Sequence, residues 1–255
     1  TYSLFSPWLG LHWDDHSILV PANIDLSAML EFLGPDRPAT AYYYYWVQAL
    51  FGDNPFLWHI LAMLFRWLGA LIVWLLLIEF CKGRRLDCAA IASLFLIYPG
   101  FRYQSAPVAF SVMLLHQALA LSSILLMVYS LKVSSHKVLF IVGAVLTGSI
   151  SMLLNEYHLG YELFRPIVFW YFINDAALTY RARVKKCLRA WAPYGLMLGV
   201  YILYRYLFLD ASERLETDPG YFLSMLENNW YKFVVERISL IFPNLINGVF
   251  LSWLQ

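Results

Sequence analysis

The chain has 255 residues, of which 61% are hydrophobic and 14% charged, with 18 Lys and Arg against 17 Asp and Glu. A soluble domain carries about 25% charged and about 45–50% apolar residues, so this much apolar surface cannot be buried in a water-soluble particle of this size. The balanced charge also excludes a nucleic-acid-binding protein, which needs a concentrated basic face. The composition therefore predicts an integral membrane protein, and the lack of internal repeats or linkers predicts a single domain over residues 1–255.

Membrane segments are predicted from apolar runs, because a helix needs roughly 20 apolar residues to cross the hydrocarbon core. Residues 1–54 form a loop before the first run, and residues 55–255 form a helical bundle with about seven segments. No alternating β-barrel pattern occurs, so the predicted fold is an all-α polytopic bundle. The predicted segments are Pro55–Phe80, 86–99, 108–131, 138–154, 159–173, 190–209 and 238–254, the second and fifth being marginal in length.

The distribution of cations predicts the orientation of the bundle. If successive loops alternate sides, ten of the 18 cations share one side, which is predicted to be cytoplasmic because cytoplasmic loops are rich in Lys and Arg. The ten are Lys82, Arg84, Arg85, Lys132, Lys137, Arg181, Arg183, Lys185, Lys186 and Arg189. Residues 1–54 are then extracytoplasmic. A loop placed there without a signal peptide implies a preceding helix, so we expect the sequence to be a fragment of a longer protein.

The most informative part of the first loop is the run GLHWDDHS at residues 10–17. Asp14 and Asp15 are adjacent, and His12 and His16 flank them. Like charges this close raise each other's pKa unless cations or hydrogen-bond donors compensate. Such a pair suits a general base, a divalent-metal ligand or a group that binds a sugar hydroxyl. The alternative is a solvated turn or a helix N-cap, where Asp is equally common.

Five consecutive aromatic residues at 42–46 follow a predicted turn at 34–38. Tyr and Trp gather at the headgroup level of a bilayer. The stretch 40–51 is too short to span and is ended by the sequence GDNP at 52–55, so we predict a short helix along the outer interface. The rings could also stack on sugars or pack against an isoprenoid chain.

Charged residues near the outer ends of the segments are further candidates, because charges in a membrane are expensive and are usually functional or paired. Arg102 lies in a predicted outer turn, and Glu156 and His158 precede the fifth segment. Glu162 and Arg165 have i, i+3 spacing and can form an ion pair. Alternatively, Glu156, His158 and Arg165 line an outward cavity together with the acidic pair, where an arginine would suit the phosphate of a lipid carrier.

This layout resembles the membrane glycosyltransferases of the GT-C fold, and within them the bacterial polyprenyl-phosphate-sugar-dependent relatives of the mannosyltransferase and aminoarabinose-transferase type. The matching residues are Trp13-Asp14-Asp15-His16, Arg37-Pro38 ahead of the interfacial helix, and the sequence ELFRP at 162–166. The resemblance implies transfer of a sugar from a polyprenyl-phosphate donor to an acceptor on the extracytoplasmic face. It also implies location in the lipid bilayer of a bacterial inner or plasma membrane.

The resemblance also implies residue roles. Asp14 or Asp15 would deprotonate or orient the acceptor hydroxyl, and a divalent metal, where one is bound, would be held by these two residues. The substrate-binding residues would be His16, Arg37, Arg102, Glu156, His158 and Arg165, with an arginine on the donor phosphate. Family members usually have more helices and often a soluble C-terminal domain. The alternative is therefore a non-catalytic subunit or scaffold with other membrane subunits as partners. A transporter of lipid-linked sugars would show inverted repeats, which the sequence lacks.

Overall fold

The computed structural model describes residues 8–12, 14–34, 37–98, 106–173 and 179–208, with isolated helical positions between 231 and 246. Every regular element in these ranges is helical, which confirms the predicted all-α fold. The helices are α1 (Asp14–Ile24), α2 (Leu26–Leu33), α3 (Pro38–Phe51), α4 (Pro55–Phe80), α5 (Arg85–Ile97), α6 (Pro107–Lys132), α7 (Lys137–Leu154), α8 (Gly160–Phe172) and α9 (Tyr180–Phe208), with a 3₁₀ turn at Glu156–His158.

Three of the described helices, α4, α6 and α7, are long and apolar enough to cross a membrane. The 26 residues of α4 and of α6 give each helix a length of about 39 Å, and the 18 residues of α7 give about 27 Å. The hydrocarbon core of a bilayer is about 30 Å thick. The three helices indicate a membrane protein, in agreement with the composition.

Three of the other predicted segments, those at α5, α8 and α9, do not qualify as spans by length and composition. Helices α5 and α8 have 13 residues each, or about 20 Å of length. Helix α9 has 29 residues, but its first turns are rich in cations, and Arg205 and several Tyr residues lower the apolarity of the remainder. The segment predicted at 238–254 lies outside the continuously described residues. The structure therefore supports three of the seven predicted segments.

Helix boundaries follow from local sequence chemistry. Helix α4 begins with Pro55 at its first position, where a missing N–H costs nothing, and the side chain of Asn54 accepts a hydrogen bond from the backbone N–H of Phe56. The preceding Gly52 has φ +55°, a left-handed conformation that favours glycine. Asp25 caps α2 in the same way through the N–H of Ala28.

Helix α6 lies at the centre of the bundle and packs against α4 and α7. In an 18-residue apolar stretch of α6, 61% of the residues are buried, against 28% in the corresponding stretches of α4 and α7. The α6–α7 contact is close at Gly148, where an added Cβ would lie 2.8 Å from Oγ of Ser123. Large side chains such as Trp67 of α4 and Leu146 of α7 are exposed. Because a helix buries its apolar face only where it has a neighbour, these outer faces are the ones available to lipid.

The bundle has two chemically different ends. At one end, Lys132 of α6 forms an ion pair with Glu79 of α4, and the hydroxyl of Tyr171 in α8 donates to the carbonyl of Phe80 at 3.2 Å. The ten cations predicted to share one side lie near the last turns of α4, α6 and α8 or near the first turns of α5, α7 and α9. We call this end of the bundle the basic end. The opposite end, which we call the loop end, holds the first turns of α4 and α6 and the last turns of α7 and α9. Helices α1 to α3 pack against it through α6 and α7.

Candidate functional site

Asp15 is fully buried at the start of α1, and its carboxylate binds backbone N–H groups. Its Oδ1 accepts hydrogen bonds from the N–H groups of Val108 at 2.9 Å and Ala109 at 3.0 Å, and its Oδ2 accepts one from the N–H of His12 at 3.0 Å. The first N–H groups of a helix have no intrahelical acceptor, and the residue that precedes α6 provides no side-chain cap. Asp15 therefore caps α6 and fastens α1 to it.

The environment of Asp15 is that of a structural carboxylate. Burial raises the pKa of Asp15 above its ordinary value, and the hydrogen bonds from the three N–H groups only partly oppose this effect. With three of its lone-pair sites already used, the side chain has little capacity left for a metal or a substrate proton. The N-cap role that the sequence left open is the one that Asp15 performs, although the capped helix is α6 and not α1.

Asp14 and His16, the two neighbours of Asp15 in the same helical turn, are exposed. Adjacent residues in a helix point about 100° apart, so burying Asp15 against α6 turns both of its neighbours outward. The side chain of Asp14 forms no hydrogen bond or ion pair with the part of the chain that the structure describes. The acidic pair is thus divided into one buried anchor and one accessible carboxylate.

Tyr44 of α3 binds the same turn of α6 that Asp15 binds. Its ring is buried, and its hydroxyl donates to the carbonyl of Ala109 at 3.2 Å, beside the N–H groups that Asp15 binds. Burial raises the pKa of Tyr44 well above its ordinary value, the negative charges of Asp15 and Asp14 raise it further, and the positive charge of Arg37 lowers it.

Arg37 and Glu156 form a bidentate ion pair between the N-terminus of α3 and the turn after α7. Nη2 of Arg37 lies 2.7 Å from Oε1 of Glu156, and Nε lies 3.2 Å from Oε2. Arg205 of α9 approaches the same carboxylate at 3.5 Å and donates to the hydroxyl of Tyr201 at 3.2 Å. Two guanidinium groups thus meet at one carboxylate at the loop end.

The Arg37–Glu156 pair is half-buried, with 12% and 19% of the two side chains exposed. Burial alone would raise the pKa of Glu156, but the hydrogen bonds and charge of Arg37, with help from Arg205, outweigh it and hold the pKa below 4.5. The adjoining cleft has a volume of about 10 Å³, the space that one water molecule needs. In this conformation the cleft has no room for a sugar or a phosphate.

Arg165 is fully buried within the bundle. It forms the ion pair with Glu162 that their i, i+3 spacing allows, and its Nη2 donates to the hydroxyl of Ser123 at 2.7 Å. Its guanidinium also lies 4.6 Å from the ring centroid of Tyr194. The described contacts of Arg165 therefore link α8 to α6 and α9.

Two of the predicted substrate-binding residues fall outside what the structure describes. Arg102 lies in the undescribed stretch between α5 and α6, and the side chain of His158 is likewise outside the described residues, although its backbone forms part of the 3₁₀ turn. Arg66, a cation inside α4, donates to the carbonyl of Tyr98 at 3.3 Å, which brings the end of α5 beside the middle of α4.

Sequence reasoning did not identify Tyr44 and Arg205 as members of the site. Tyr44 belongs to a run of five aromatic residues that covers every face of a helix, so the run gives no signal for the one buried ring. Arg205 lies one turn after Tyr201, a spacing that is a weak indication of a paired cation. The partner of Arg205 is 49 residues away in sequence, which no local pattern reveals.

The donor set for a divalent metal is incomplete among the residues that the structure describes. No group of three or more His, Cys, Asp or Glu side chains comes together there. Asp14 is available, but the oxygens of Asp15 are occupied by N–H groups. The described residues therefore do not fit a metal held by the acidic pair.

No protein-family model, no curated protein and no solved structure matches this chain. A function for this chain is therefore inferred from its own residues and their geometry.

Proposed function

We propose that this protein is a membrane glycosyltransferase that moves a sugar from a polyprenyl-phosphate donor to an acceptor on the extracytoplasmic face. The observation that supports this proposal is the arrangement of the acidic pair. Asp15 fastens α1 to the N-terminus of α6, and Asp14 is thereby held at the loop end as an accessible carboxylate. A base on a rigid support at the membrane surface is what a reaction between a lipid-linked donor and a hydroxyl acceptor requires.

In the proposed reaction Asp14 takes the proton of the acceptor hydroxyl. The acceptor oxygen forms a bond to the anomeric carbon of the sugar while the bond from that carbon to the carrier phosphate breaks. The electron pair of the broken bond stays with the phosphate, which leaves as an anion on its polyprenyl chain. Asp15 is assigned a positioning role only, because its oxygens already hold backbone N–H groups.

The leaving phosphate needs a cation, and Arg37 and Arg205 are the strongest candidates among the described residues. Guanidinium groups bind phosphate oxygens in the same bidentate manner in which Arg37 binds Glu156. Phosphate binding would require the cleft to open and Glu156 to release one of the two arginines. His16, Arg102 and His158 remain proposed contributors to substrate binding, and Arg165 would act on the substrate only indirectly through the packing of α8.

The proposal includes an orientation. With the basic end in the cytoplasm, the loop end and Asp14 face the extracytoplasmic side of a bacterial inner or plasma membrane. The concentration of cations near the basic end supports this orientation, since Lys and Arg accumulate in cytoplasmic loops. The exposed apolar faces of α4 and α7 would lie against lipid and give the polyprenyl chain of the donor a surface to follow.

A transfer assay tests the proposal. Membranes that contain Asp14→Asn, Asp15→Asn or Glu31→Gln are supplied with a labelled polyprenyl-phosphate sugar, and Glu31 serves as the matched control because it is an exposed acid of the same loop. Loss of a general base lowers a rate by about 10²–10⁴-fold, which we expect for Asp14→Asn. Glu31→Gln should transfer at the native rate. Native transfer by Asp14→Asn would remove the proposal.

A second candidate function is a non-catalytic subunit or scaffold of a larger membrane complex. It is favoured by the internal pairing of two predicted site residues, since the contacts of Asp15 and Arg165 described above are those of structural groups. A scaffold would show no transfer when purified alone and would co-purify with another membrane protein. A purified chain that transfers sugar unaided would rule this candidate out.

A further inference from the structure

A cavity of about 490 Å³ opens near the basic end, between α6, α7, α8 and α9. Its interior is mainly apolar and includes Phe169 and Ile173, which are buried, and Phe172. Ligand-binding pockets in proteins commonly have volumes of about 300–1,000 Å³. The cavity is thus large enough for a small organic group, and it takes no part in the proposed transfer reaction.

Three cationic residues line this cavity: Lys137 on α7, and Lys186 and Arg189 on α9. Lys186 and Arg189 have i, i+3 spacing and share a face of their helix. All three side chains are exposed, and none of them is in a salt bridge within the described part of the chain. The lining residues that the structure describes include no Asp or Glu. Cations from two helices therefore converge on one opening.

The N-terminus of α7 adds a helix dipole that favours an anion at the cavity. Lys137 is the first residue of α7, and the preceding His136 gives no side-chain hydrogen bond to the helix start. The first N–H groups of a helix carry partial positive charge, which stabilises a nearby anion. This dipole and the three side chains all favour the same kind of ligand, a compact anion with several oxygens.

The surroundings favour a lipid as the source of that anion. Exposed apolar residues lie next to the three cations in sequence on both helices, with Val138 and Leu139 on α7 and Leu188 on α9. An acyl chain can follow these surfaces while its headgroup remains beside the cations. Basic pockets between membrane helices are known binding sites for anionic headgroups.

We propose that this cavity binds the phosphate headgroup of an anionic phospholipid from the leaflet at the basic end. The phosphate lies among Lys137, Lys186 and Arg189, and the acyl chains run along α7 and α9. The site is independent of the glycosyltransferase proposal, because it lies near the opposite end of the bundle from Asp14 and uses none of the residues of the loop end.

Lipid binding to the purified full chain in a non-ionic detergent tests this site. Native mass spectrometry measures the bound fraction during titration with phosphatidylglycerol, with phosphatidylcholine and with inorganic phosphate. The double variant Lys186→Gln/Arg189→Gln removes two cations of the cavity. The control double variant Arg181→Gln/Lys185→Gln removes the same charge from exposed positions of α9 outside the cavity lining.

We expect phosphatidylglycerol to bind more tightly than phosphatidylcholine. The Lys186/Arg189 double variant should bind phosphatidylglycerol about 25-fold more weakly, since each cation near an anionic lipid contributes a factor of about five. The control should keep the native affinity, and Lys137→Gln should weaken binding by about fivefold. Equal losses in the two double variants, or equal binding of the two lipids, would overturn the proposal. Inorganic phosphate that binds as tightly as phosphatidylglycerol would overturn the lipid assignment.

Discussion

Replacing Asp15 by alanine should destabilise the protein strongly, because three backbone N–H groups lose their acceptor. A buried N–H left without a partner costs about 1–3 kcal/mol. The hydrogen bond to Val108 is buried, whereas those to His12 and Ala109 are only partly so and their donors can turn to water. We therefore expect a loss of about 2–4 kcal/mol in the free energy of unfolding. For a chain of this size, that corresponds to a decrease in Tm of roughly 4–16 °C.

Thermal unfolding of the purified protein in detergent, followed by near-UV circular dichroism, measures this loss. Asp14→Ala is the matched control, since its side chain is exposed and should change stability by less than about 0.5 kcal/mol. Asp15→Asn should lie between the two, because the amide keeps one acceptor oxygen for the N–H groups of α6. Equal Tm values for Asp15→Ala and Asp14→Ala would refute the capping role and the anchoring of α1.

The remaining predictions concern the two internal ion pairs. A double-mutant cycle with Arg37→Gln and Glu156→Gln should give a coupling free energy of about 1–3 kcal/mol, since the pair is bidentate and half-buried; a value near zero would contradict the pairing. Because the folded pKa of Glu156 is below 4.5, its contribution to stability is present above pH 4.5 and is lost as pH falls through the folded pKa. The free energy of unfolding of Glu156→Gln, measured at several pH values, should lack this pH-dependent contribution. Arg165→Met should cost about 3–5 kcal/mol, because Glu162 is left as an uncompensated buried charge, and Arg165→Met/Glu162→Gln should recover part of the loss.

The membrane-spanning core was predictable because its signals are local. Pro55–Phe80 is a continuous apolar run with Pro at its start and a basic turn after it, and the helix has the same bounds in sequence and structure. The third and fourth runs, 108–131 and 138–154, match α6 and α7 to within one residue at each end. The short runs at 86–99 and 159–173, which form α5 and α8, are not confirmed as spans, because apolarity alone does not distinguish a span from a helix packed beside one. The i, i+3 spacing also correctly indicated the pair of Glu162 and Arg165.

The candidate site was less predictable because its contacts are long-range. Nothing local separates Asp14 from Asp15, and the difference arises only when α1 packs on the N-terminus of α6, more than 90 residues later. Arg37 and Glu156 are 119 residues apart, so the sequence indicates both as substrate ligands and gives no sign of their mutual contact. Polar residues of a membrane protein gain most from partners on other helices, and single-sequence patterns do not record those partners.

We propose that Asp14 and the basic end face opposite sides of a membrane. A variant without the native cysteines at 81, 88 and 187 receives one cysteine, either Ser17→Cys beside the acidic pair or Ala182→Cys near the start of α9, both exposed positions. Intact cells are then treated with a membrane-impermeant maleimide. We expect labelling of Ser17→Cys in intact cells and of Ala182→Cys only after permeabilisation. Labelling of both positions from the same side would contradict the orientation and the chemistry that depends on it.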